Sequence, residues 1–79
     1  MSDKTIIMYS QPSCGPCFTA KEWLQHQNLP FEVRDIRAEP KYIDELIELG
    51  VGMTPAFKIG DEVIVGFDPF AIMDAFENN

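Results

Sequence analysis

The chain has 79 residues, with 13 Asp and Glu against 6 Lys and Arg, a net charge of −7, and 46% hydrophobic residues. So short a chain buries only about 60% of the surface its unfolded form exposes, which leaves room for one thin core and excludes a second domain or a large internal cavity. The scattered basic residues argue against a nucleic-acid ligand, no apolar run approaches the roughly 20 residues of a membrane span, and Met1-Ser2-Asp3-Lys4 lacks the order of a signal peptide. Residues 1–79 are therefore expected to form one cytoplasmic, monomeric domain.

Thr5-Ile6-Ile7-Met8-Tyr9 is apolar and rich in β-branched residues, and Ser10-Gln11-Pro12-Ser13 ends it; it reads as a buried strand followed by a turn. Residues 14–28 read as a helix. Phe18, Ala20, Lys21, Trp23 and Leu24 recur at roughly helical spacing, and Pro16 is tolerated in the first turn, where its missing N–H would have had no intrahelical partner. Asn28-Leu29-Pro30 breaks this helix. Residues 31–36 alternate apolar and polar, as a strand with one covered face does. Pro40 opens a second helix whose expected buried stripe is Ile43, Leu46 and Ile47, with Asp44, Glu45 and Glu48 in solvent and Gly50 at the left-handed position that ends it.

Residues 51–54 connect to a third strand over 55–59, where proline is accepted as the first residue. Gly60-Asp61 has the spacing of a two-residue hairpin turn into the strand 62–65. Asp68 suits a helix N-cap and Pro69 the first helical position, with Phe70, Met73 and Phe76 as the expected apolar face. The order βαβαββα predicts an α/β fold: a parallel βαβ unit extended by an antiparallel hairpin into a four-stranded mixed sheet with helices on both faces.

The chain's two cysteines are Cys14 and Cys17. A bridge across so short a loop restricts the unfolded chain little, so the pair is a poor structural staple. A single internal cysteine is ordinarily core packing. Two at this spacing, directly after a strand and opening a helix, point to redox chemistry. At the helix start the Cys14 sulfur lies beside unpaired N–H groups and the positive end of the helix dipole, which favours the nucleophilic thiolate. Cys17, one turn further in, is placed to resolve a mixed disulfide formed at Cys14. Gly15 and Pro16 fix that geometry, glycine admitting a partner closely and proline stiffening the turn. A zinc site lacks ligands, since His26 is at the far end of the helix. Metal delivery by two cysteines alone fits poorly with the element order and with the intervening proline.

Two further stretches stand out. Met53-Thr54-Pro55 reads either as an edge device at the start of a strand or as a cis peptide bond exposing backbone to an extended substrate. Gly66-Phe67-Asp68 reads as a strand end, a hydrophobic staple and a helix cap, and Phe67 becomes an apolar docking surface if it lies near Cys14.

The run Tyr9-Ser10-Gln11-Pro12-Ser13-Cys14-Gly15-Pro16-Cys17, followed by Thr54-Pro55 and Gly66-Phe67-Asp68-Pro69, resembles the glutaredoxin-like branch of the thioredoxin superfamily. Within it the likeness is to NrdH-redoxins, which have glutaredoxin-like sequences and thioredoxin-like behaviour. The resemblance implies a thioredoxin fold with Pro55 cis, Cys14 as nucleophile and Cys17 as resolving thiol. It also implies substrate contacts at Met53, Thr54, Pro55, Gly66, Phe67 and Asp68, and no cofactor beyond the redox-active Cys14–Cys17 disulfide. Implied partners are a flavin-dependent thioredoxin reductase and disulfide substrates such as a class Ib ribonucleotide reductase. Departures from the neighbouring families are specific. Thioredoxins carry Trp where this chain has Ser13 and a buried acid where it has Met8. Glutaredoxins usually carry a basic residue at the place of Gln11, and a double glycine with later paired acids where this chain has Val65-Gly66 and Asp68-Pro69. Glutathione would find no cation at position 11. The alternatives are a glutathione-coupled glutaredoxin, a metal- or cluster-binding module using Cys14, and an inert interaction module.

Overall fold

A computed structural model describes residues 5–78. The elements run in the expected order: β1 (Ile6–Ser10), α1 (Gly15–His26), β2 (Phe31–Asp35), α2 (Lys41–Glu48), β3 (Ala56–Ile59), β4 (Glu62–Val65) and α3 (Pro69–Glu77). They build one four-stranded sheet in the order β2-β1-β3-β4, with β1 parallel to β2 and antiparallel to β3, and β3 antiparallel to β4.

Strand alternation sorts the side chains onto two faces. Ile6 and Met8 of β1, Phe57 and Ile59 of β3 and Ile64 of β4 join Ala20 and Leu24 of α1 and Ile72 and Ala75 of α3 in the larger core. Met8, Phe57 and Ile64 sit side by side across three strands. The opposite face holds Tyr9, Ala56, Leu46 of α2 and Val51.

The turns follow local chemistry. Gly60, at the first position of the two-residue turn, has φ +59°, a sign that glycine adopts at little cost. The first two helices end in the same way. Asn28 (φ +57°) follows α1 and Gly50 (φ +78°) follows α2; the Leu29 and Val51 N–H groups reach back to the Leu24 and Leu46 carbonyls, and those of Asn28 and Gly50 to Gln25 and Ile47. This double bond pattern uses carbonyls that would otherwise lack an intrahelical donor.

Three packing expectations need correction. In α2 only Leu46 of the expected stripe is buried; Ile43 is 40% and Ile47 66% exposed. The helix is turned so that Tyr42, Leu46 and Leu49 face the sheet. Glu45, expected in solvent, accepts the Tyr9 hydroxyl at 2.8 Å and Arg34 Nη1 at 2.8 Å. The rotation gives the Tyr9 hydroxyl a partner, and a buried hydroxyl left without one costs about 1–3 kcal/mol. In α3 the inward face is Ile72 and Ala75, flanked by Ala71 and Phe76, whereas Phe70 is 87% exposed and Met73 is half-buried. Of the expected face, Phe76 packs on the core as anticipated, and Ile72 and Ala75 take the places expected of Phe70 and Met73. In β2, an edge strand, Phe31 packs on the core but Val33 stays 37% exposed, where it lines a depression beside the cysteines.

Candidate redox site

The end of β1 delivers the chain to a loop at Gln11, Pro12 and Ser13. Ser13 takes φ +64°, a left-handed conformation that costs a non-glycine residue roughly 1–2 kcal/mol, and the chain then enters α1. Cys14 is the N-cap: its backbone is extended and its Sγ accepts the Cys17 N–H at 3.2 Å. The Phe18 N–H bonds to the Cys14 carbonyl and opens the helical ladder. Gly15 and Pro16 occupy the first two helical positions, so proline stands where no N–H is required. A Cβ at Gly15 would meet nothing within 4 Å; the chain's own packing does not demand glycine there. The two sulfurs are joined as a disulfide with the Cα atoms 5.2 Å apart. The pair is asymmetric, Cys14 being half-buried and Cys17 only 3% exposed.

The connector before β3 returns to this point. The Thr54–Pro55 peptide bond is cis, as the resemblance implies. The Thr54 hydroxyl lies 3.9 Å from Cys14 Sγ, oriented to donate to it, and accepts Gln11 Nε2 at 3.0 Å. Met53 is exposed and Pro55 buried. The Gly66 N–H bonds to the Pro55 carbonyl at 2.8 Å, with Gly66 at φ +82°, where a larger residue would be strained. Phe67 makes an edge-on contact with Trp23 of α1, ring centroids 5.7 Å apart, and packs on the larger core. Asp68 caps α3 through the Ala71 N–H at 3.1 Å. Cys14, Cys17, Gly15, Pro16 and Thr54 are thus brought together, while the visible contacts of Gly66, Phe67 and Asp68 hold strand, helix and core in place.

Residues beyond those expected also border the cysteines. Phe18, Lys21, Val33 and Asp35 line the depression with Cys14 and Cys17, and Gln11 lines it too. Phe18 and Lys21 are one turn apart from Cys14 and Cys17 along α1, so helical spacing from the cysteines, and not from the core, is the signal that would have found them. A second, apolar groove lined by Ile36, Ile43, Ile47 and Met53 reaches the site at Gln11 and Thr54. Among the described residues no group of three or more His, Cys, Asp or Glu is arranged to hold a metal ion, and no helix is long and apolar enough to cross a membrane.

The family model described as Glutaredoxin matches residues 6–64, from the first strand through most of the last. The chain belongs to the glutaredoxin family. Like its family, it is a thiol–disulfide oxidoreductase. Among curated relatives, this glutaredoxin is 28% identical over 64 residues to the glutaredoxin-like protein NrdH of Lactococcus lactis, covering 81% of this chain and 89% of that one. It is 41% identical over 44 residues to the global transcriptional regulator Spx 1 of Oceanobacillus iheyensis, and that match covers 56% of this chain but only 34% of the regulator. The thioredoxin-like protein BC3987 superposes with a TM-score of 0.84 at 30% identity, over 90% of this chain and 99% of the other. The likeness to NrdH-redoxins and the thioredoxin-like fold agree with the motifs quoted above.

Proposed function

We propose that this glutaredoxin is a dithiol reductant of NrdH type, acting on protein disulfides through Cys14 and Cys17. The observation that carries this reading is the asymmetry of the pair: Cys14 is reachable at a helix start, and Cys17 is buried one turn behind it. The Cys14 thiolate attacks one sulfur of a substrate disulfide; that S–S bond breaks, and the departing sulfur takes a proton. The Cys17 thiolate then attacks Cys14 Sγ, the substrate's second thiol leaves, and two electrons have passed to the substrate. Met53, Thr54 and Pro55 supply an extended edge with which the substrate backbone pairs, and the stretch Gly66, Phe67 and Asp68 borders it. A flavin-dependent thioredoxin reductase, present with the protein in the cytoplasm, restores the dithiol, and class Ib ribonucleotide reductase is a fitting client.

Glutathione suits the site less well. The Gln11 amide carries no charge and is engaged by Thr54, and Pro69 lacks the N–H that another residue would offer. One observation favours the glutathione-coupled alternative: Lys21 lines the depression beside Cys14 and could meet a carboxylate. Turnover with NADPH and thioredoxin reductase is the expected result, with Cys14→Ser abolishing it. Robust turnover only with glutathione and glutathione reductase would select the alternative, and an iron or copper content equal to the protein in anaerobically purified material would select a metal-binding module. The Gly-Pro spacer resembles that of thioredoxin, so the expected potential is nearer to about −270 mV than to the roughly −120 mV of DsbA-type oxidants.

A further inference from the structure

A cation beside a thiol favours the thiolate by charge. Gln11 has none, yet it is in polar contact with the site. Its Nε2 donates to Thr54 Oγ1 at 3.0 Å, and the same oxygen lies 3.9 Å from Cys14 Sγ. A hydroxyl has one hydrogen and two lone pairs. When the amide N–H occupies a lone pair, the hydroxyl hydrogen stays free to turn toward the sulfur. An acceptor in place of that amide nitrogen would draw the hydrogen away.

We propose that Gln11 is a positioning residue that acts through Thr54, fixing its hydroxyl as a donor to Cys14 Sγ and thereby favouring the Cys14 thiolate. The inference rests on the reading of Cys14 as the attacking sulfur. Sulfur accepts weakly as a thioether or disulfide and strongly as a thiolate, so the contact strengthens in the state that reacts. The Thr54 donor adds to the Cys17 N–H at 3.2 Å and the start of α1. The charged side chains that border the same depression are Lys21 from α1 and Asp35 from the end of β2. Both are left unchanged in the test. Because Gln11 works by orienting a hydrogen, its effect should vanish when the hydroxyl is removed, which separates it from a residue acting by charge or by packing.

The test is a pH titration of Cys14 by ultraviolet thiolate absorbance, with iodoacetamide alkylation rates in parallel, in a Cys17→Ser background so that one thiol titrates. Below the pKa, Gln11→Leu should lower the thiolate fraction about three- to tenfold. Gln11→Glu, which can only accept and adds a negative charge, should lower it further. Thr54→Val should match Gln11→Leu, and the double variant Gln11→Leu/Thr54→Val should be no worse than Thr54→Val alone. Thr54→Ser, which keeps the hydroxyl, should preserve the sensitivity to position 11 and carries the test if the valine variant does not fold. A titration unmoved by Gln11→Leu, or additive losses in the double variant, overturns the inference. Reduction of an insulin disulfide by the unsubstituted protein is measured alongside: its absence would overturn the proposed function, whereas the titration reads Gln11 whether or not that activity is present.

Discussion

Beneath α1 and α3, nine buried apolar residues meet in one cluster, whereas beneath α2 the buried cluster has four, one of them Tyr9 with its hydroxyl. The first face is held by apolar packing across β1, β3 and β4. The second is held partly by polar contacts: Tyr9 donates to Glu45, and Arg34 from the edge strand bridges Glu45 at 2.8 Å and Glu32 at 2.6 Å. On that side Ile43 and Ile47 remain exposed. A short helix on a narrow sheet cannot bury every apolar residue it carries, and here the orientation that pairs a buried hydroxyl is the one adopted.

If the two faces differ as described, truncation should cost most on the larger one. Phe57→Ala is expected to lose about 3–5 kcal/mol, a large part of the roughly 5–15 kcal/mol available to a domain, measured by denaturant unfolding. Leu46→Ala, on the smaller face and 5% exposed, should lose less, about 2 kcal/mol, near the lower end for such substitutions. Equal losses would erase the comparison. Next comes the polar contact itself: Tyr9→Phe should cost about 1–2 kcal/mol by leaving Glu45 short of a donor.

The acid limb offers a finer test. Burial opposes ionisation of Glu45, but the hydrogen bonds from Tyr9 and Arg34 and the attraction of Arg34 outweigh it and hold the carboxyl below its ordinary range. A carboxyl depressed in the folded state contributes stability above its unfolded pKa and loses it as pH falls through the folded one. The stability gap between the unsubstituted protein and Glu45→Gln should therefore be full at neutral pH and shrink in acid; a gap that widens in acid would remove Glu45 from the account. Burial, followed by the bond to Glu45, raises the Tyr9 phenol above its ordinary value, so this hydroxyl remains a donor throughout the neutral range. The smallest effect belongs to Ile47→Ser, expected within about 0.5 kcal/mol of no change because the side chain is already in solvent.

Much of this arrangement was legible in the chain because its signals are local. Asp68 before Pro69, Gly50 after a helix and Gly60-Asp61 between two strands each act within a few residues, and all three occupy the expected places. The cysteine spacing and the strand before it likewise marked the candidate site, and the pair stands after β1 at the start of α1. What local patterns could not reveal was rotation. α2 offers two apolar stripes, and the choice between them depends on a tyrosine 36 positions away from Glu45. α3 also offers two: the face with Ile72 and Ala75 is buried, whereas Phe70 is in solvent. The polar path from Gln11 to Thr54 and Cys14 spans 43 and 40 positions, and it exists only once the β3 connector folds back onto the loop after β1.

Cys14 has one more consequence. Its sulfur is both the N-cap acceptor of α1 and an atom of the redox pair. Whatever free energy the helix start lends to a charged sulfur, the charged sulfur returns to the helix start, since the two are the same interaction viewed from either end. Alkylating or oxidising that atom therefore alters the fastening of the first turn as well as its reactivity. The exchange rate of the Cys17 amide hydrogen becomes a thermometer of the sulfur's chemical state, readable without any substrate.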